Sequence, residues 1–219
     1  MIVSSARRFI FIHNPKAAGT AFRSAITPYH DHARIFWGIS PCPYFNGAVD
    51  LAHLRAWELP VVAPDVFAAL ESHTSLAFLR DPLPRFLSAC AEHFRNFHPR
   101  ARFNRWGPVG KRVLIHRLIR SGRIQARVRG DVQYVHFSPQ TWFTHLGDQR
   151  IMRHLVPIRS DREDFARAFA LLGLPAVVPQ QENRTPDANW PALASREIEA
   201  FVRDFYARDY ALLAELAPL

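Results

Sequence analysis

The chain has 219 residues, of which 28 are basic and 19 acidic, so its formal net charge is +9 at pH 7. Its 48% hydrophobic and 12% aromatic residues exclude a disordered basic tail, and its length suits one domain with a substantial core. Lys16 and Lys111 are the only lysines, so 26 of the basic residues are arginines. Because the planar guanidinium suits phosphate, sulfate and carboxylate, the composition favours an anionic ligand. A GC-rich genome would produce the same preference for arginine.

The apolar segments are too short for a membrane span. The most apolar run near the start of the chain, Phe9–Ile12, has four residues, whereas a spanning helix needs about 20. No signal-peptide h-region precedes it. Cys42 and Cys90 lie in no CxxC pair and cannot build a disulfide framework. We therefore expect no transmembrane segment and a cytoplasmic protein.

Short apolar strands alternate with amphipathic helices along the first half of the chain. Residues 8–13 predict a buried strand, and a helix is expected to begin at Gly19. Residues 75–79 predict a second buried strand, after which Asp81 supplies an N-cap and Pro82 a first-turn residue for a helix. The buried stripe predicted for that helix is Phe86, Leu87, Cys90 and Phe94.

The second half continues this alternation. Residues 111–120 predict a basic amphipathic helix with Val113, Leu114, Leu118 and Ile119 on its apolar side. Residues 154–158 predict a third buried strand, and residues 160–163 form a capping box for a helix that ends at Gly173. A last helix is expected over residues 195–216. The pattern predicts a single α/β domain over residues 1–219, with a central, mostly parallel sheet flanked by helices.

The positive charge is concentrated in residues 93–130, which we call the basic segment. It contains no Asp or Glu but eleven basic residues, so the rest of the chain carries 17 basic and 19 acidic residues. A charge run of this kind is usually a solvated face. It also fits a nucleic-acid surface, because Phe103 and Trp106 are interleaved with its arginines.

A loop suited to an anion follows the first predicted strand. The sequence His13-Asn-Pro-Lys-Ala-Ala-Gly-Thr20 joins that strand to a helix N-terminus through small residues and one lysine. Such a junction directs backbone N–H groups and the positive end of the helix dipole at one point. A Walker A loop needs its lysine directly before Ser or Thr. Lys16 stands four residues before Thr20, which disfavours a phosphate-loop kinase.

A second anion-binding pattern follows the next strand, Arg80-Asp-Pro-Leu-Pro-Arg-Phe-Leu-Ser88. Arg80 is expected at the carboxyl end of a strand, where open α/β sheets bind ligands. Arg85 and Ser88 are three residues apart on one helical face, so both side chains could converge on one anion. The two loops together describe a ligand that carries two separate anionic groups.

These two motifs together resemble the 5′-phosphosulfate loop and the 3′-phosphate loop of sulfotransferases that use 3′-phosphoadenosine 5′-phosphosulfate (PAPS). The resemblance is to heparan 2-O-sulfotransferases and related carbohydrate sulfotransferases, where the motifs read approximately HIPKTGGT and RDPxxRxxS. Their order and their spacing of about 60 residues agree with this chain. Weaker similarity continues through Ser138-Pro-Gln140, Asn183-Arg-Thr185 and Tyr206-Ala-Arg-Asp-Tyr210. The departure is Ala17-Ala18, where threonine and glycine are usual.

The resemblance implies a P-loop-like sulfotransferase fold that moves the sulfuryl group from PAPS to a hydroxyl acceptor and leaves 3′,5′-ADP. By this resemblance Lys16 is catalytic, and the donor loop comprises Pro15, Lys16, Ala17, Ala18, Gly19 and Thr20. Arg80 and Ser88 are expected to bind the 3′-phosphate, while Arg85 either supports that site or forms a structural ion pair. Fixed cations and backbone dipoles can stabilise such an in-line transfer, so no metal is expected.

Transfer to a hydroxyl also needs a base, for which a histidine is suited. Related enzymes carry a catalytic histidine or glutamate between the two loops, which implies His53 here, with His73 and His136 in reserve. His30-Asp-His32 offers two imidazoles without a third ligand at suitable spacing, which is typical of a solvated turn rather than a metal site.

The acceptor is expected to be a carbohydrate, with a small phenol or alcohol as the second choice. An acidic glycan would suit the basic segment, in which Arg117, Arg120 and Arg123 are the candidate binding residues and residues 99–130 a candidate mobile lid. The rival hypothesis is a non-catalytic protein that binds nucleic acid or another polyanion through the basic segment. Nucleic acid is the less favoured partner, and the oligomeric state is left open.

Overall fold

The computed structural model describes residues 1–177 and 190–216. The strands are β1 Ile2–Ser4, β2 Phe9–Ile12, β3 Ile39–Cys42, β4 Gly47–Asp50, β5 Thr74–Leu79, β6 His145–Leu146, β7 Gln149–Arg150 and β8 His154–Pro157. The α-helices are α1 Gly19–Ile26, α2 Leu59–Val62, α3 Pro64–Ala69, α4 Pro82–Phe97, α5 Pro108–Arg120, α6 Arg123–Arg127, α7 Thr141–Thr144, α8 Asp161–Leu171, α9 Trp190–Leu193, α10 Arg196–Phe205 and α11 Ala207–Glu215. The 3-10 helices are Thr27–Tyr29, Leu51–His53, Pro99–Ala101, Phe103–Arg105 and Val132–Phe137. Within these ranges, none of the helices combines the length and the apolar character that a membrane crossing requires.

The central sheet has the strand order β1-β2-β5-β8. β2, β5 and β8 are parallel, with Phe11 opposite Leu76 and Leu76 opposite His154. β1 runs antiparallel to β2 at one edge. The predicted α/β architecture with a mostly parallel central sheet is therefore confirmed. β1 was not predicted, because three residues carry too little pattern to separate a strand from a loop.

The sheet is apolar on both faces because helices cover both of them, as is usual for parallel strands. Side chains alternate along a strand, so Phe9 and Phe11 of β2 face one layer while Ile10 and Ile12 face the other. The first layer is closed by α1 and α8, which contribute Phe22, Ile26, Phe165 and Phe169. The second is closed by α2, α3 and α11, which contribute Leu59, Val62, Val66 and Leu212.

Residues 98–130 of the basic segment follow α4, are mostly helical and pack against that helix. Their buried apolar side chains are Phe103, Ile115, Leu118, Ile124 and Val128, which join Phe86 and Phe94 of α4 in a third core cluster. The predicted stripe of α4 is confirmed, since Phe86, Leu87, Cys90 and Phe94 are all buried. The apolar face predicted for α5 was partly wrong: Val113 is exposed and Ile115 is buried. The candidate lid, residues 99–130, thus packs against α4 in this structure, and its mobility stays a prediction.

One predicted cap and one predicted helix differ from the structure. Ser160 is the N-cap residue of α8, as predicted, but its side chain makes no capping hydrogen bond. Instead Asp164 accepts hydrogen bonds from the backbone N–H groups of Arg159 and Ser160, each at 2.7 Å. The predicted last helix is divided into α10 and α11 at Tyr206, whose buried hydroxyl donates to the Phe137 carbonyl at 2.8 Å. The motif Asn183-Arg-Thr185 lies outside the described residues.

Candidate functional site

The two motifs meet at the carboxyl edge of the sheet. β2 and β5 are adjacent and parallel, so the loops that follow them emerge side by side. The guanidinium of Arg80 donates a hydrogen bond to the Lys16 carbonyl at 3.4 Å. The Gln140 amide accepts from the Arg80 N–H and donates to the Arg80 carbonyl, both at 2.8 Å. The end of β5 is therefore held in position beside the first loop.

The backbone of the first loop turns through the left-handed region twice. Lys16 has φ 62° and Ala18 has φ 59°, a conformation that costs a non-glycine residue about 1 kcal/mol. Ala18 is the N-cap of α1, and its side chain offers no hydrogen bond to the first turn of that helix. The N-terminus of α1 therefore opens onto a loop of small side chains, which is the arrangement that favours a bound anion.

Gly19 is required by a close contact rather than by its dihedral angles. A Cβ atom built at this position would collide with Cδ2 of the His13 ring and lie 2.7 Å from its Nε2. His13 is itself buried, and its Nδ1 has no hydrogen-bond partner among residues 1–177 and 190–216. Burial, followed by the nearby His53, lowers the pKa of His13 well below its ordinary value. A neutral imidazole thus packs against the start of α1.

Lys16 forms an ion pair that the sequence analysis missed. Its Nζ donates to Oε2 of Glu92, on α4, at 2.9 Å. Burial by itself would raise the pKa of Glu92, but the charge and hydrogen bond of Lys16 outweigh it, and the pKa falls to about 2. The only sequence signal for this pair is that Glu92 lies one helical turn beyond Ser88, on the same side of α4.

Arg85 is completely buried and connects α4 to the first loop. Its Nε donates to the Pro15 carbonyl at 3.0 Å, and its Nη2 donates to the Ser138 carbonyl at 2.7 Å. The guanidinium also lies 5.7 Å from the centre of the Tyr206 ring. Within residues 1–177 and 190–216 no carboxylate forms an ion pair with Arg85. The predicted structural ion pair is therefore not seen among the described residues, and support of the 3′-phosphate site stays a prediction. The contacts instead connect Arg85 to the first loop, a role that was not predicted. Ser88, three residues further along α4, is also buried.

His53 lies beside the first loop, at the end of the 3-10 helix Leu51–His53. Its Nδ1 is 2.8 Å from the His13 carbonyl. Because a carbonyl can only accept a hydrogen bond, this contact assigns the proton to Nδ1 and leaves the lone pair on Nε2. Burial is the largest effect on His53, and with neighbouring charges such as Lys16 it lowers the pKa to about 3. The ring is therefore neutral near pH 7.

Two further groups adjoin His53. The ring centre of His136, in the 3-10 helix Val132–Phe137, is 5.1 Å from that of His53. Asp50 begins the turn that carries His53 and accepts a hydrogen bond from the Ala52 N–H at 2.9 Å. Burial, and secondly the neighbouring His53, lower the pKa of His136 to about 3, whereas burial raises the pKa of Asp50. Asp50 comes before the second motif in the sequence, and His136 comes far after it. The spacing of these residues therefore does not indicate that they lie beside His53.

The other histidines considered from the sequence lie elsewhere. His73 is in the turn before β5, at the opposite edge of the sheet from the two motifs, and its Nδ1 contacts the Ser72 hydroxyl at 3.0 Å. His30 accepts a hydrogen bond from the Val3 N–H, and Nε2 of His32 lies 2.9 Å from Asp65. The nitrogens that would have to bind a metal in the His30-Asp-His32 turn are engaged in local contacts.

The three arginines proposed to bind the acceptor point to different surroundings. Arg120 forms a two-pronged ion pair with Glu197 of α10, at 2.8 and 2.7 Å. Arg117 and Arg123 instead line a groove of about 640 Å³ beside Phe97 and His98. A second groove, of about 680 Å³, lies at the β3–β4 hairpin, which the sequence did not predict. The lining of that groove includes Tyr44, Asn46, Arg127, Arg129 and Asp131.

Because fold and geometry do not by themselves name a function, the chain was compared with known proteins. A scan of protein-family models, a search of curated proteins and a search of solved structures each find no match. The interpretation of the site therefore depends on its own residues and contacts.

Proposed function

We propose that this chain is a PAPS-dependent sulfotransferase with a P-loop-like sulfotransferase fold, which moves a sulfuryl group to a hydroxyl acceptor. The observation that carries the proposal is the hydrogen bond between Arg80 and the Lys16 carbonyl at the ends of two adjacent parallel strands. Two loops that are 64 residues apart in sequence thereby form one surface. A ligand with two anionic groups is what such a pair of basic loops suits.

The residues of the first loop fit the 5′-phosphosulfate end of the donor. Small side chains and the uncapped N-terminus of α1 allow an anion to approach the backbone near Gly19 and Thr20. Lys16 is the cation that would stabilise negative charge on the departing phosphate. Since Lys16 is paired with Glu92 before the donor arrives, donor binding exchanges one anionic partner of the lysine for another.

The second loop fits the 3′-phosphate through Arg80 and Ser88. Arg80 lies at the end of β5 with its backbone fixed by Gln140. Arg85 is too deeply buried to contact the donor, and its hydrogen bond to the Pro15 carbonyl gives it a positioning role. The buried guanidinium of Arg85 keeps the first loop against α4. This position matters because a shift of reacting groups by about 1 Å can lower the rate roughly 100-fold.

His53 is the base that this arrangement favours. Its Nδ1–H is held by the His13 carbonyl, so Nε2 can accept the proton of an acceptor hydroxyl. The acceptor oxygen then forms a bond to sulfur as the bond between sulfur and the bridging phosphate oxygen breaks. A histidine with a pKa of about 3 is a weak base. The negatively charged PAPS would bind next to Lys16 and thereby raise the pKa of His53.

A carbohydrate is the acceptor that the 640 Å³ groove favours over a small phenol. Phe97 lines this groove together with Arg117 and Arg123, and an aromatic ring with cations suits a sugar that carries an anionic group. The rival function, non-catalytic polyanion binding through the basic segment, is less favoured because Arg95, Arg120 and Arg127 already pair with carboxylates.

The donor site can be tested without knowledge of the acceptor. We expect 3′,5′-ADP to raise the melting temperature at micromolar concentration in the presence of a chelator, while ATP with Mg²⁺ does not. Lys16→Ala should abolish the shift, and Lys111→Ala, which removes the other lysine, should retain it. His53→Ala should retain the shift and lose turnover of labelled PAPS in an acceptor screen. No stabilisation of the unmodified chain by 3′,5′-ADP would refute the proposal.

The acceptor side needs a separate experiment. Replacing Arg117 and Arg123 with Ser should raise the acceptor KM with little effect on 3′,5′-ADP binding, because both line the same groove. Arg120→Ser is the matched control, since Arg120 is engaged with Glu197. Tight, salt-sensitive binding of DNA or RNA that the double variant loses would support the rival function instead.

A further inference from the structure

Three potential metal ligands converge beside the first loop. One donor atom each from Asp50, His53 and His136 lies within 4.8 Å of the others. Three ligand atoms with these separations fit within a circle of radius about 2.8 Å. For an ion at the centre of that circle, each ligand atom has to move by at most about 0.7 Å to reach a Zn²⁺ bond length. Side-chain rotation alone can supply such a shift.

The two side chains with assigned hydrogen bonds contact backbone groups: Asp50 accepts from the Ala52 N–H, and His53 donates to the His13 carbonyl. One ligand atom of each of the three residues nevertheless lies within 4.8 Å of the others. His53 carries the arrangement that a metal-binding histidine usually has, with Nδ1–H donated to a backbone carbonyl and Nε2 directed away from it. Asp50 is similarly oriented by the Ala52 N–H.

The chemical types of the three ligand atoms determine which metal ions suit the site. Two imidazole nitrogens and one carboxylate oxygen suit Zn²⁺ and its neighbours in the first transition series, whereas Mg²⁺ and Ca²⁺ prefer oxygen ligands. Lys16 and Arg85 also act electrostatically on His53, and both charges weaken the binding of a cation. The ion pair of Lys16 with Glu92 offsets one of them, so we expect micromolar rather than tighter affinity.

We propose that Asp50, His53 and His136 form a binding site for a divalent transition-metal ion, with Zn²⁺ as its representative. A metal on Nε2 of His53 occupies the lone pair that the proposed reaction needs, so Zn²⁺ is a reversible inhibitor of turnover. The inhibition rests on the proposed function, but the binding of the metal does not.

The binding is tested on the full chain after treatment with a chelator. Titration with Co²⁺ should produce visible d–d absorption with one equivalent bound, and Zn²⁺ should displace it, while Mg²⁺ should do neither. His136→Gln and Asp50→Asn should each weaken Zn²⁺ binding at least tenfold in calorimetry, with His73→Gln unchanged. Unfolding curves of each variant establish that it is folded before the titration is interpreted.

Several results would overturn the site. Zn²⁺ affinity that is unaffected by both His136→Gln and Asp50→Asn would do so, as would affinity lost in His32→Gln instead. Absence of Co²⁺ absorption in the unmodified chain would do so independently of any variant. Co²⁺ binding together with no effect of 3′,5′-ADP would support the metal site and refute the sulfotransferase, so the two failures are distinguishable.

Discussion

Mild acid should destabilise this chain through the buried pair His53 and His136. Each has a pKa of about 3 in the folded protein, against about 6.5 in an unfolded chain. Below pH 6.5 the unfolded state therefore binds more protons than the folded state, and stability is lost as the pH falls toward 3. At pH 5 the loss is about 2 kcal/mol for one such histidine and about 4 kcal/mol for the two together.

Neighbouring titratable groups modify this effect. His13 has a lowered pKa and adds to the loss. Asp50 has a raised pKa, so its folded state takes up a proton more readily than the unfolded chain, and it opposes the loss. Glu92 acts in a lower range, because its stabilisation is lost only as the pH falls below the ordinary value for Glu toward about 2. The window from pH 7 to pH 5 therefore reports on the buried histidines together with the Met1 amino group, because burial lowers the pKa of that amino group from 8.0 to about 4 and adds to the loss.

The measurement is the free energy of unfolding in urea at pH 7, 6 and 5. His136→Gln removes one of the titrating groups, so the difference between pH 7 and pH 5 should shrink by about 2 kcal/mol. His73→Gln, at the opposite edge of the sheet, should leave that difference unchanged. If His136→Gln and the unmodified chain lose the same stability between pH 7 and pH 5, the reasoning from burial of this pair is wrong.

Three further substitutions test the architecture of the first loop. Gly19→Ala should cost about 1–3 kcal/mol in urea unfolding because its Cβ meets the His13 ring, whereas Gly107→Ala, which meets nothing within 4 Å, should cost far less. Arg85→Met leaves buried carbonyls without their donor, so unfolding curves should show a loss of about 3 kcal/mol or more; a loss under 1 kcal/mol would contradict this. Glu92→Gln removes the carboxylate that pairs with Lys16, so calorimetry should detect tighter 3′,5′-ADP binding. Weaker binding would argue against the proposal that the donor replaces Glu92 as the anionic partner of Lys16.

The elements of the sheet could be predicted because their signals are local. β2, β5 and β8 are short apolar runs ended by turn residues, and each was located to within one or two residues. The N-cap of α4 could be predicted in the same way, and Asp81 does accept a hydrogen bond from the Leu83 N–H at 2.8 Å. Parallel pairing then follows from alternation with helices. The β3–β4 hairpin was missed because β3 is mostly exposed and contains Pro41, so it has no apolar alternation.

Local sequence patterns are sufficient to locate the three parallel strands, the helices that follow them and the two motifs at the strand ends, because each of these features depends on residues that are close together in the chain. The partners of these motifs depend on tertiary packing. Lys16 meets Glu92 across 76 residues, and Arg85 meets the Pro15 carbonyl across 70. The cluster of Asp50, His53 and His136 is likewise formed by packing of distant segments. Such contacts arise from how helices cover the sheet, and no local pattern encodes them.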